Sequence, residues 1–380
     1  MNNITIDKTG WKKWRFDEFA QNISERIEPS QTDLDVYVGL EHIDPDTLHL
    51  SRHGHPSDVE GTKLRFYKGD IIFGRRRAYQ RKTALATTNG ICSAHAMVLR
   101  AKEDVVDPSF FPFLFHSKQF IDIAITISVG GLSPTINWKD ISKQEFLLPP
   151  KSEQKRLAEL LWATDEMIEK EKNVLKELRD EIQIIIKENT NNSANKKISF
   201  SDLVEVNPST TIAKEEISLI TMSDISEEGD IINKVKTQLK ELRGKGLTPF
   251  KENDILFAKI TPCMENGKGV IAKNLYNGVG LGSTEFHVLR PKLDTDLYYC
   301  YYLTMSKTFR KQAEKQMTGS AGQKRVQPEF FDFYKVYAPS IEQRKIIGNK
   351  LYEIDCTIAK VKMQISLSQQ LKQELINHIF

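Results

Sequence analysis

The sequence predicts an α+β protein made of two similar globules, each followed by a long α-helix. Three observations support this prediction: two long heptad patterns, a repeat that relates the two halves of the chain, and short β-rich segments that alternate with helical ones in each half. Two long helices of matched length bury their apolar seams best against each other, so we expect the helices to pair.

The first heptad pattern begins after Pro149 and Pro150, which cannot continue a helix. Ser152 is the expected N-cap of this helix. Apolar residues then recur at alternating spacings of four and three, interrupted only by Thr164 and Glu171. The apolar seam consists of Leu157, Leu161, Ile168, Leu175, Leu178, Ile182 and Ile185.

The same pattern returns near the C-terminus, after Pro339. Two of its seam positions are polar, Ser368 and Lys372, and we expect Leu367 and Leu371, one residue earlier, to cover that part of the seam. With roughly 35 to 40 residues, each helix would be on the order of 55 Å long. The second seam consists of Ile347, Leu351, Ile354, Ile358, Val361, Ile365, Leu375 and Ile379.

The two halves match each other in order, at a separation of about 185 to 190 residues. Each half also contains a helical pattern, 108–125 in the first and 297–317 in the second, and the polar stretch 189–195 is typical of a linker. The paired segments are Gly69–Phe73 with Asn253–Phe257, Met97–Arg100 with His287–Arg290, and the glycine-containing loops Ser128–Thr135 with Thr318–Arg325.

Composition indicates a folded protein with room for two domains, because 39% of its 380 residues are hydrophobic and 28% are charged. No apolar run is long enough to cross a bilayer, and the first residues lack the pattern of a signal peptide, so we expect a cytoplasmic protein that does not contact a membrane. Its four cysteines are far apart, which argues against a zinc site.

Candidate DNA-binding residues cluster in a basic segment, 75–82, that directly follows a predicted strand. Arginine and glutamine can pair bidentately with base edges, and tyrosine can pack on a sugar or base, although a solvated charged loop remains the alternative. The second half is less basic at this point. The candidates are Arg75, Arg76, Arg77, Tyr79, Gln80, Arg81, Lys259, Lys268, Ser320, Gln323, Lys324 and Arg325.

Catalytic chemistry is not indicated by any motif in the sequence. The glycine-rich stretch 278–283 is not followed by the lysine and hydroxyl residue of a phosphate-binding loop. His53 and His55 lie in a segment typical of a solvated loop, and no nucleophile and base form a recognisable pair. The residues alone therefore indicate no reaction and no bound cofactor or metal.

Two similar boxes open the long helices, Pro150-Lys151-Ser152-Glu153-Gln154 and Pro339-Ser340-Ile341-Glu342-Gln343, and Asp165 or Asp355 follows in each helix. Repeated at the end of both halves, they resemble the specificity subunit of a type I restriction-modification system over essentially the whole chain. One departure is that the second box lies one residue further from its aspartate than the first.

The resemblance implies two tandem α/β target recognition domains, each followed by a helix, with the two helices paired as an antiparallel coiled coil. Residues 1–150 would form the first target recognition domain and residues 197–339 the second. The spacer helices would span 151–188 and 340–380, with a linker at 189–196. The residues assigned to the spacer and partner contacts are Glu153, Gln154, Leu157, Leu161, Ile168, Leu175, Leu178, Ile182, Glu342, Gln343, Ile347, Leu351, Ile354, Ile358, Val361 and Ile365.

The resemblance also implies function, and it implies that this chain is not an enzyme and carries no cofactor of its own. The chain would bind double-stranded DNA at a bipartite, asymmetric site, assembled with two modification subunits that carry S-adenosylmethionine and methylate adenine. Restriction subunits, which use ATP and Mg²⁺, would translocate and cleave the DNA. Two alternatives stay open: a specificity subunit of a methylation-only or phage-defence complex, and a coiled-coil scaffold that does not bind DNA.

Overall fold

The computed structural model describes residues 6–242, 244–320 and 322–380, so Ala321 of the second glycine-containing loop and the first five residues of the predicted first domain lie outside the described residues. The chain forms two compact units, which are described separately. Unit 1 contains Met1–Lys172 and Met363–Phe380, and unit 2 contains Asn173–Lys362. Within the described residues, no helix is long and apolar enough to cross a membrane.

Unit 1 combines two four-stranded sheets with short helices and the start of a long one. Its strands are β1 (Lys12–Arg15), β2 (Ala20–Ile23), β3 (Arg26–Ile27), β4 (Tyr37–Val38), β5 (Lys63–Phe66), β6 (Ile71–Gly74), β7 (Thr83–Leu85), β8 (Gly90–Cys92), β9 (Ala96–Ala101) and β10 (Glu145–Leu148). Its helices are α1 (Phe16–Phe19), α2 (Phe111–Leu114), α3 (Lys118–Thr126), α4 (Trp138–Ile141) and the first part of α5 (Lys151–Thr190). The sheet orders are β2-β9-β6-β7 and β3-β5-β8-β4, and β1 pairs with β10.

Unit 2 is built in a similar way, with a different edge strand in its second sheet and one additional strand pair. Its strands are β11 (Lys196–Ser199), β12 (Val204–Val206), β13 (Glu216–Ile220), β14 (Val235–Gln238), β15 (Thr248–Lys251), β16 (Ile255–Ala258), β17 (Gly269–Ile271), β18 (Val279–Gly282), β19 (Phe286–Pro291), β20 (Met317–Thr318), β21 (Arg325–Val326) and β22 (Lys335–Ala338). Its helices are α6 (Leu239–Leu242), α7 (Leu297–Met305), α8 (Lys307–Lys315), α9 (Phe330–Phe333) and most of α10 (Ile341–Ile379), whose last residues belong to unit 1. The sheet orders are β12-β19-β16-β17 and β14-β13-β18-β15, β11 pairs with β22, and β20 pairs with β21.

An ion pair with a buried aspartate explains why two short motifs recur in both halves. Asp70, which is 1% exposed, accepts hydrogen bonds from Nε and Nη2 of Arg100 at 2.7 and 2.9 Å. Asp254 accepts the same two bonds from Arg290, both at 2.8 Å. The repeated Asp and Arg therefore tie β6 to the end of β9, and β16 to the end of β19, through the bidentate geometry that stabilises a buried charge pair.

The two predicted helical patterns, 108–125 and 297–317, are each broken into separate helices. Ser117 stands between α2 and α3, and its hydroxyl accepts a hydrogen bond from the amide of Phe120 at 3.1 Å. Ser306 stands between α7 and α8 and caps Phe309 in the same way. The helical pattern of each half thus covers two helices, because the apolar pattern continues through a turn that an N-cap serine allows.

The long helices start differently from each other. The predicted N-cap at Ser152 is wrong, because α5 begins at Lys151 and the Pro150 carbonyl accepts the amides of Glu153 and Gln154. In α10, the Ser340 hydroxyl does accept the amide of Gln343, and the Gln343 side chain accepts the amide of Ser340 in return. This reciprocal pair is a capping box.

The extra residue in the second box is explained by a buried polar side chain at the start of each helix. Gln154 is 1% exposed and donates to the Pro149 carbonyl, and Arg344 is 8% exposed and donates to the Pro339 carbonyl. Arg344, and not Gln343, is therefore the counterpart of Gln154. With this correspondence both helices share one register, because Asp165 and Asp355 then lie at the same distance along them.

Within unit 1, the first half of α5 packs against the last residues of α10. Leu157 and Leu161 lie in one core with Leu375 and Ile379. The prediction that Leu367 and Leu371 would cover the polar part of the second seam is wrong, since their exposed fractions are 48% and 41%. Ser368 and Lys372 are buried there instead, at 8% and 7% exposure.

Asp165 makes it possible to bury Lys372. Its carboxylate accepts a hydrogen bond from the Lys372 ammonium and lies 2.5 Å from Nε2 of His49. Burial by itself would raise the pKa of Asp165, but the hydrogen bond to His49 and the charge of Lys372 outweigh burial and lower this pKa to about 2. The carboxylate is therefore ionised at neutral pH, and the lysine is paired.

Within unit 2, the second half of α5 packs against the first half of α10. Ile182 and Ile186 share a core with Leu351, Ile354 and Ile358. Asp355, the counterpart of Asp165, lies 3.1 Å from the Lys273 ammonium and accepts a 2.5 Å hydrogen bond from the hydroxyl of Tyr302. The equivalent carboxylate is thus paired by residues of its own globule and not by the opposite helix.

We predict that Arg344→Ala destabilises the protein far more than Gln343→Ala. Removing Arg344 leaves the carboxylate of Asp296, which is 1% exposed, without its ion-pair partner, which should cost about 3–5 kcal/mol. Gln343→Ala removes only an exposed capping contact and should cost about 1 kcal/mol or less. Equilibrium unfolding of the full chain in denaturant measures both, and equal losses would contradict the assigned register.

Candidate nucleic-acid interface

The basic segment of unit 1 forms a tight turn at the end of β6. Arg77 and Arg81 adopt left-handed backbone conformations, with φ of 57° and 53°, on either side of a single 3₁₀ turn. Ala78 within that turn is buried at 2% exposure, whereas Tyr79 beside it is 53% exposed. Burying the alanine anchors the turn and directs the tyrosine to solvent.

The glycine-containing loop Ser128–Thr135 lies against this turn. The loop is closed by paired backbone hydrogen bonds between Val129 and Thr135, at 3.0 and 2.9 Å. Nη2 atoms of Arg76 and Arg77 both donate to the Ser133 hydroxyl, at 3.0 and 3.3 Å. One serine therefore orients two arginines. The sequence did not reveal this contact, because the serine and the arginines lie in separate segments.

Arg75 and Arg76 also contact the segment before β9. Nη2 of Arg75 donates to the Ala94 carbonyl at 3.1 Å, and Nη1 of Arg76 lies 3.4 Å from Nε2 of His95. Partial burial and then the charges of Arg76 and Arg75 lower the pKa of His95, so this imidazole is neutral at pH 7. The arginines are held in place, yet their charge is not cancelled by the histidine.

Arg81 has a different environment from the other predicted arginines. Its Nε is paired with Asp46, and its Nη2 donates to the His116 carbonyl at 2.9 Å and to Gln373 at 3.3 Å. The backbone amide of Gln80 donates a hydrogen bond to the Arg77 carbonyl within the turn. Every hydrogen bond of the Arg81 guanidinium is internal to unit 1, so its contact with DNA stays a prediction that these bonds do not favour.

Unit 2 brings its predicted residues together in an equivalent way. The loop between β20 and β21 lies against the residues that follow β16, because the Lys259 carbonyl accepts the Val326 amide at 2.9 Å and the Lys324 carbonyl accepts the Thr261 amide at 3.0 Å. Ser320, Gln323 and Lys324 are exposed on this loop. The turn-and-loop arrangement of unit 1 is thus repeated with different side chains.

Glu285 was missed by sequence reasoning and changes the charge of this second surface. Its carboxylate accepts a bidentate pair of hydrogen bonds from Arg325 at 2.9 and 2.8 Å, and these bonds lower the pKa of Glu285. Lys268 is also engaged internally, since its ammonium donates to the Met222 carbonyl at 3.0 Å. Among the predicted cations of unit 2 that the structure describes, Lys259 and Lys324 are those whose side chains make neither an ion pair nor a hydrogen bond.

Glycines at matching places in the two loops could have revealed the arrangement from sequence. Gly130 and Gly319 have φ of 116° and 126°, a conformation that residues with a Cβ rarely adopt. A Cβ on Gly319 would also lie 2.9 Å from the Gln323 carbonyl oxygen. Each loop therefore turns at a glycine directly before its exposed tip.

A family model described as the type I restriction modification DNA specificity domain matches residues 11–180 and, a second time, residues 192–373. The chain belongs to this family. The resemblance predicted from the two helix-opening boxes is therefore confirmed, as is the presence of two tandem domains of mixed helix and strand.

Curated members of the specificity-subunit family are similar to parts of the chain. The specificity subunit of the type I restriction enzyme EcoEI from Escherichia coli is 40% identical over 155 residues, which is 40% of this chain and 26% of that protein. The EcoAI specificity subunit from the same species is 36% identical over 183 residues, 47% of this chain and 31% of that protein. The matches thus span about a quarter to a third of these relatives.

Solved structures of the specificity-subunit family show the same fold over the full chain. The S subunit of a type I restriction-modification system from M. genitalium aligns with a TM-score of 0.56 at 15% identity, covering 100% of this chain and 97% of the other. A chain from a structure concerned with assembly and conformational transition of a type I system aligns with a TM-score of 0.55, covering 97% of both. At this identity the likeness concerns the fold alone.

Metal binding finds no support in the histidine-containing loop of unit 1. Nδ1 of His42 accepts the Gly39 amide at 3.0 Å, and His49 pairs with Asp165. Within residues 6–242, 244–320 and 322–380, no group of three or more His, Cys, Asp or Glu side chains is arranged to hold a metal ion.

Proposed function

We propose that the chain is the DNA-recognition subunit of a type I restriction-modification complex and binds one half of a bipartite site with each unit. The observation that carries this proposal is the repeated turn-and-loop surface, which gathers Arg75–Arg77 in unit 1 and Lys259, Lys324 and Gln323 in unit 2. Arginines and lysines would contact phosphates, and side chains at the exposed tips would contact base edges.

The two half-sites should differ in sequence. Unit 1 presents uncancelled arginines and the exposed Tyr79, whereas in unit 2 Arg325 is neutralised by Glu285 and the tip carries amide and hydroxyl groups. The same scaffold with different tips is suited to an asymmetric site. Tyr79, Arg77, Gln323 and Lys324 are our first candidates for base contacts, with Arg75, Arg76, Gln80, Arg81, Lys259, Lys268, Ser320 and Arg325 in the wider predicted set.

The long helices would set the gap between the half-sites. We propose target recognition domains at 1–150 and 197–339, a linker at 189–196, and spacer helices at 151–188 and 340–380 that pair as an antiparallel coiled coil. The packing of Leu161 with Leu375 in unit 1, and of Ile182 with Ile358 in unit 2, supports this pairing. At 1.5 Å per residue, a 40-residue helix is about 60 Å long.

Partner subunits would supply the catalysis. We propose two modification subunits that methylate adenine with S-adenosylmethionine and restriction subunits that use ATP and Mg²⁺, all in the cytoplasm. Apolar side chains exposed on the outside of the helices support docking of partners there. In unit 1 these are Leu160, Met167, Met363, Leu367 and Leu371, each at least 41% exposed.

Methylation mapping tests the function directly. Co-expressing the chain with the methyltransferase subunit encoded next to it should methylate adenines in a single bipartite motif with a fixed gap, read by long-read sequencing of the host genome. Omitting the chain is the control and should abolish that methylation. A soluble, assembled complex that adds no methylation would contradict the proposal and favour a scaffold that does not bind DNA.

We predict that replacing Arg75, Arg76 and Arg77 together by alanine weakens DNA binding and flattens its dependence on salt. Each arginine that contacts a phosphate should reduce the log–log salt slope by about one. Binding of the assembled complex to its site is measured across a salt series. The control replaces the exposed Lys12, Lys13 and Lys143 by alanine, which removes the same charge outside the proposed surface. An equal salt slope in both variants would show that the arginines do not contact phosphates.

We predict that lengthening both helices by one heptad widens the gap without changing either half-site. Seven residues inserted after Lys172 in α5 and after Lys362 in α10 keep the seam in register and add about 10 Å, the length of about three base pairs. Methylation mapping of the variant gives the new gap. Inserting three residues in each helix breaks the register and serves as the control, and an unchanged gap in the heptad variant would contradict the spacer role.

A further inference from the structure

Leu132 is the most exposed large apolar side chain in the part of the chain that the structure describes. Its exposed fraction is 95%, and it lies at the tip of the loop closed by Val129 and Thr135. An isolated, fully exposed leucine on a surface loop would need no explanation by itself. Leu132, however, lies directly beside the arginines of unit 1, and this position suggests a role.

The loop is fixed to the basic turn by the residues that directly follow Leu132. Arg76 and Arg77 donate to the hydroxyl of Ser133, the next residue, and the Arg77 amide donates to the Pro134 carbonyl at 2.8 Å. The carbonyl of Arg75 in turn accepts the Ile136 amide at 3.0 Å. Leu132 therefore lies next to any group that Arg76 and Arg77 bind.

The shape of the tip suits a narrow groove. Gly130 and Gly131 precede Leu132, and a Cβ on Gly131 would meet nothing within 4 Å, so the leading edge of the loop is thin and open. An apolar residue on such a tip can enter the minor groove and wedge between two base pairs, while neighbouring cations hold the phosphates on either side. The guanidinium groups of Arg76 and Arg77 are the cations placed to do this.

We infer that Leu132 is a DNA-intercalating wedge: it inserts between two adjacent base pairs of the half-site read by unit 1 and unstacks them. This inference rests on the proposed function. The occupant is double-stranded DNA because the side chains bonded to the residue after the leucine are cationic. A duplex offers phosphates for the arginines together with an apolar base stack for the leucine.

Only one half-site should be affected. The corresponding stretch of unit 2, Gly319–Lys324, contains small and polar residues and no large apolar one. The structure of this loop provides Ser320 and Gln323 as exposed groups instead. Unit 1 would thus read the deformability of its site as well as its base edges, and unit 2 would not do so through this loop.

The test uses the assembled, methylating complex and duplexes of its mapped site in which 2-aminopurine replaces adenine at successive positions other than the methylated adenines and the bases next to them. Those positions are left out because a methyltransferase flips its target base and would raise the fluorescence there by itself. With the wild-type chain, fluorescence should rise at one step in one half-site when the complex binds. Leu132→Ala should abolish that rise and weaken binding by about tenfold, because the inserted apolar surface is lost. Leu132→Phe should retain the rise.

Val129→Ala is the matched control, since Val129 is 67% exposed in the same loop but lies at its base. This variant should bind and unstack DNA like the wild type. A wild-type complex that binds without any fluorescence rise, or a Leu132→Ala complex that behaves like the wild type, overturns the wedge. If replacing one thymine by uracil lowers the affinity and no fluorescence rise is seen, the wedge is overturned in favour of a contact between Leu132 and a thymine methyl group. A wild-type complex that neither binds nor methylates DNA would overturn the proposed function itself.

Discussion

The attachment of each long helix to its globule depends on one buried polar side chain in the first turn of that helix. Gln154 in α5 donates to carbonyls of Pro149 and Val105 and accepts the amide of Asp107. Arg344 in α10 bonds to the Pro339 carbonyl and the buried Asp296. A side chain in such a position must satisfy each polar group that it buries, so it fixes both the angle and the rotation of the helix. The heptad seam can face its partner only because this rotation is set.

A second consequence concerns the polar positions of the seam. Apolar contacts alone allow neighbouring registers of similar stability, whereas a buried lysine is tolerated only where a carboxylate meets it. In unit 1, Lys372 meets Asp165, which His49 also holds. In unit 2 the matching aspartate, Asp355, is taken by Lys273 and Tyr302. The two units therefore share a carboxylate but differ in what neutralises it, and only unit 1 uses it to select a register between helices.

Sequence alone predicted the features that local periodicity encodes. The heptad seams follow from spacings within one segment, and Leu161 and Leu351 are fully buried as the seams require. The repeat and its paired strands follow from comparing the two halves of the sequence. The breaks at Ser117 and Ser306 escaped prediction because the apolar pattern runs through them. The burial of Lys372 escaped because its partner, Asp165, is 207 residues away in the chain. Contacts of the candidate interface, such as Ser133 with Arg76, likewise depend on the packing of distant segments and have no local signal.

What repeats between the halves, and what does not, separates the scaffold from the proposed recognition surface. The pairs Asp70–Arg100 and Asp254–Arg290 recur because losing the arginine would leave a buried carboxylate without its partner. At the exposed tips no such penalty applies. Unit 1 therefore carries Arg77 and Leu132 where unit 2 carries Gln323 and Lys324. Under the proposed function, a duplicated scaffold with different side chains at its two tips binds two different half-sites without a change of fold. The physical requirement on each tip is only that its glycine turn and its backbone bonds to the neighbouring strand end are kept, as they are at Gly130 and Gly319.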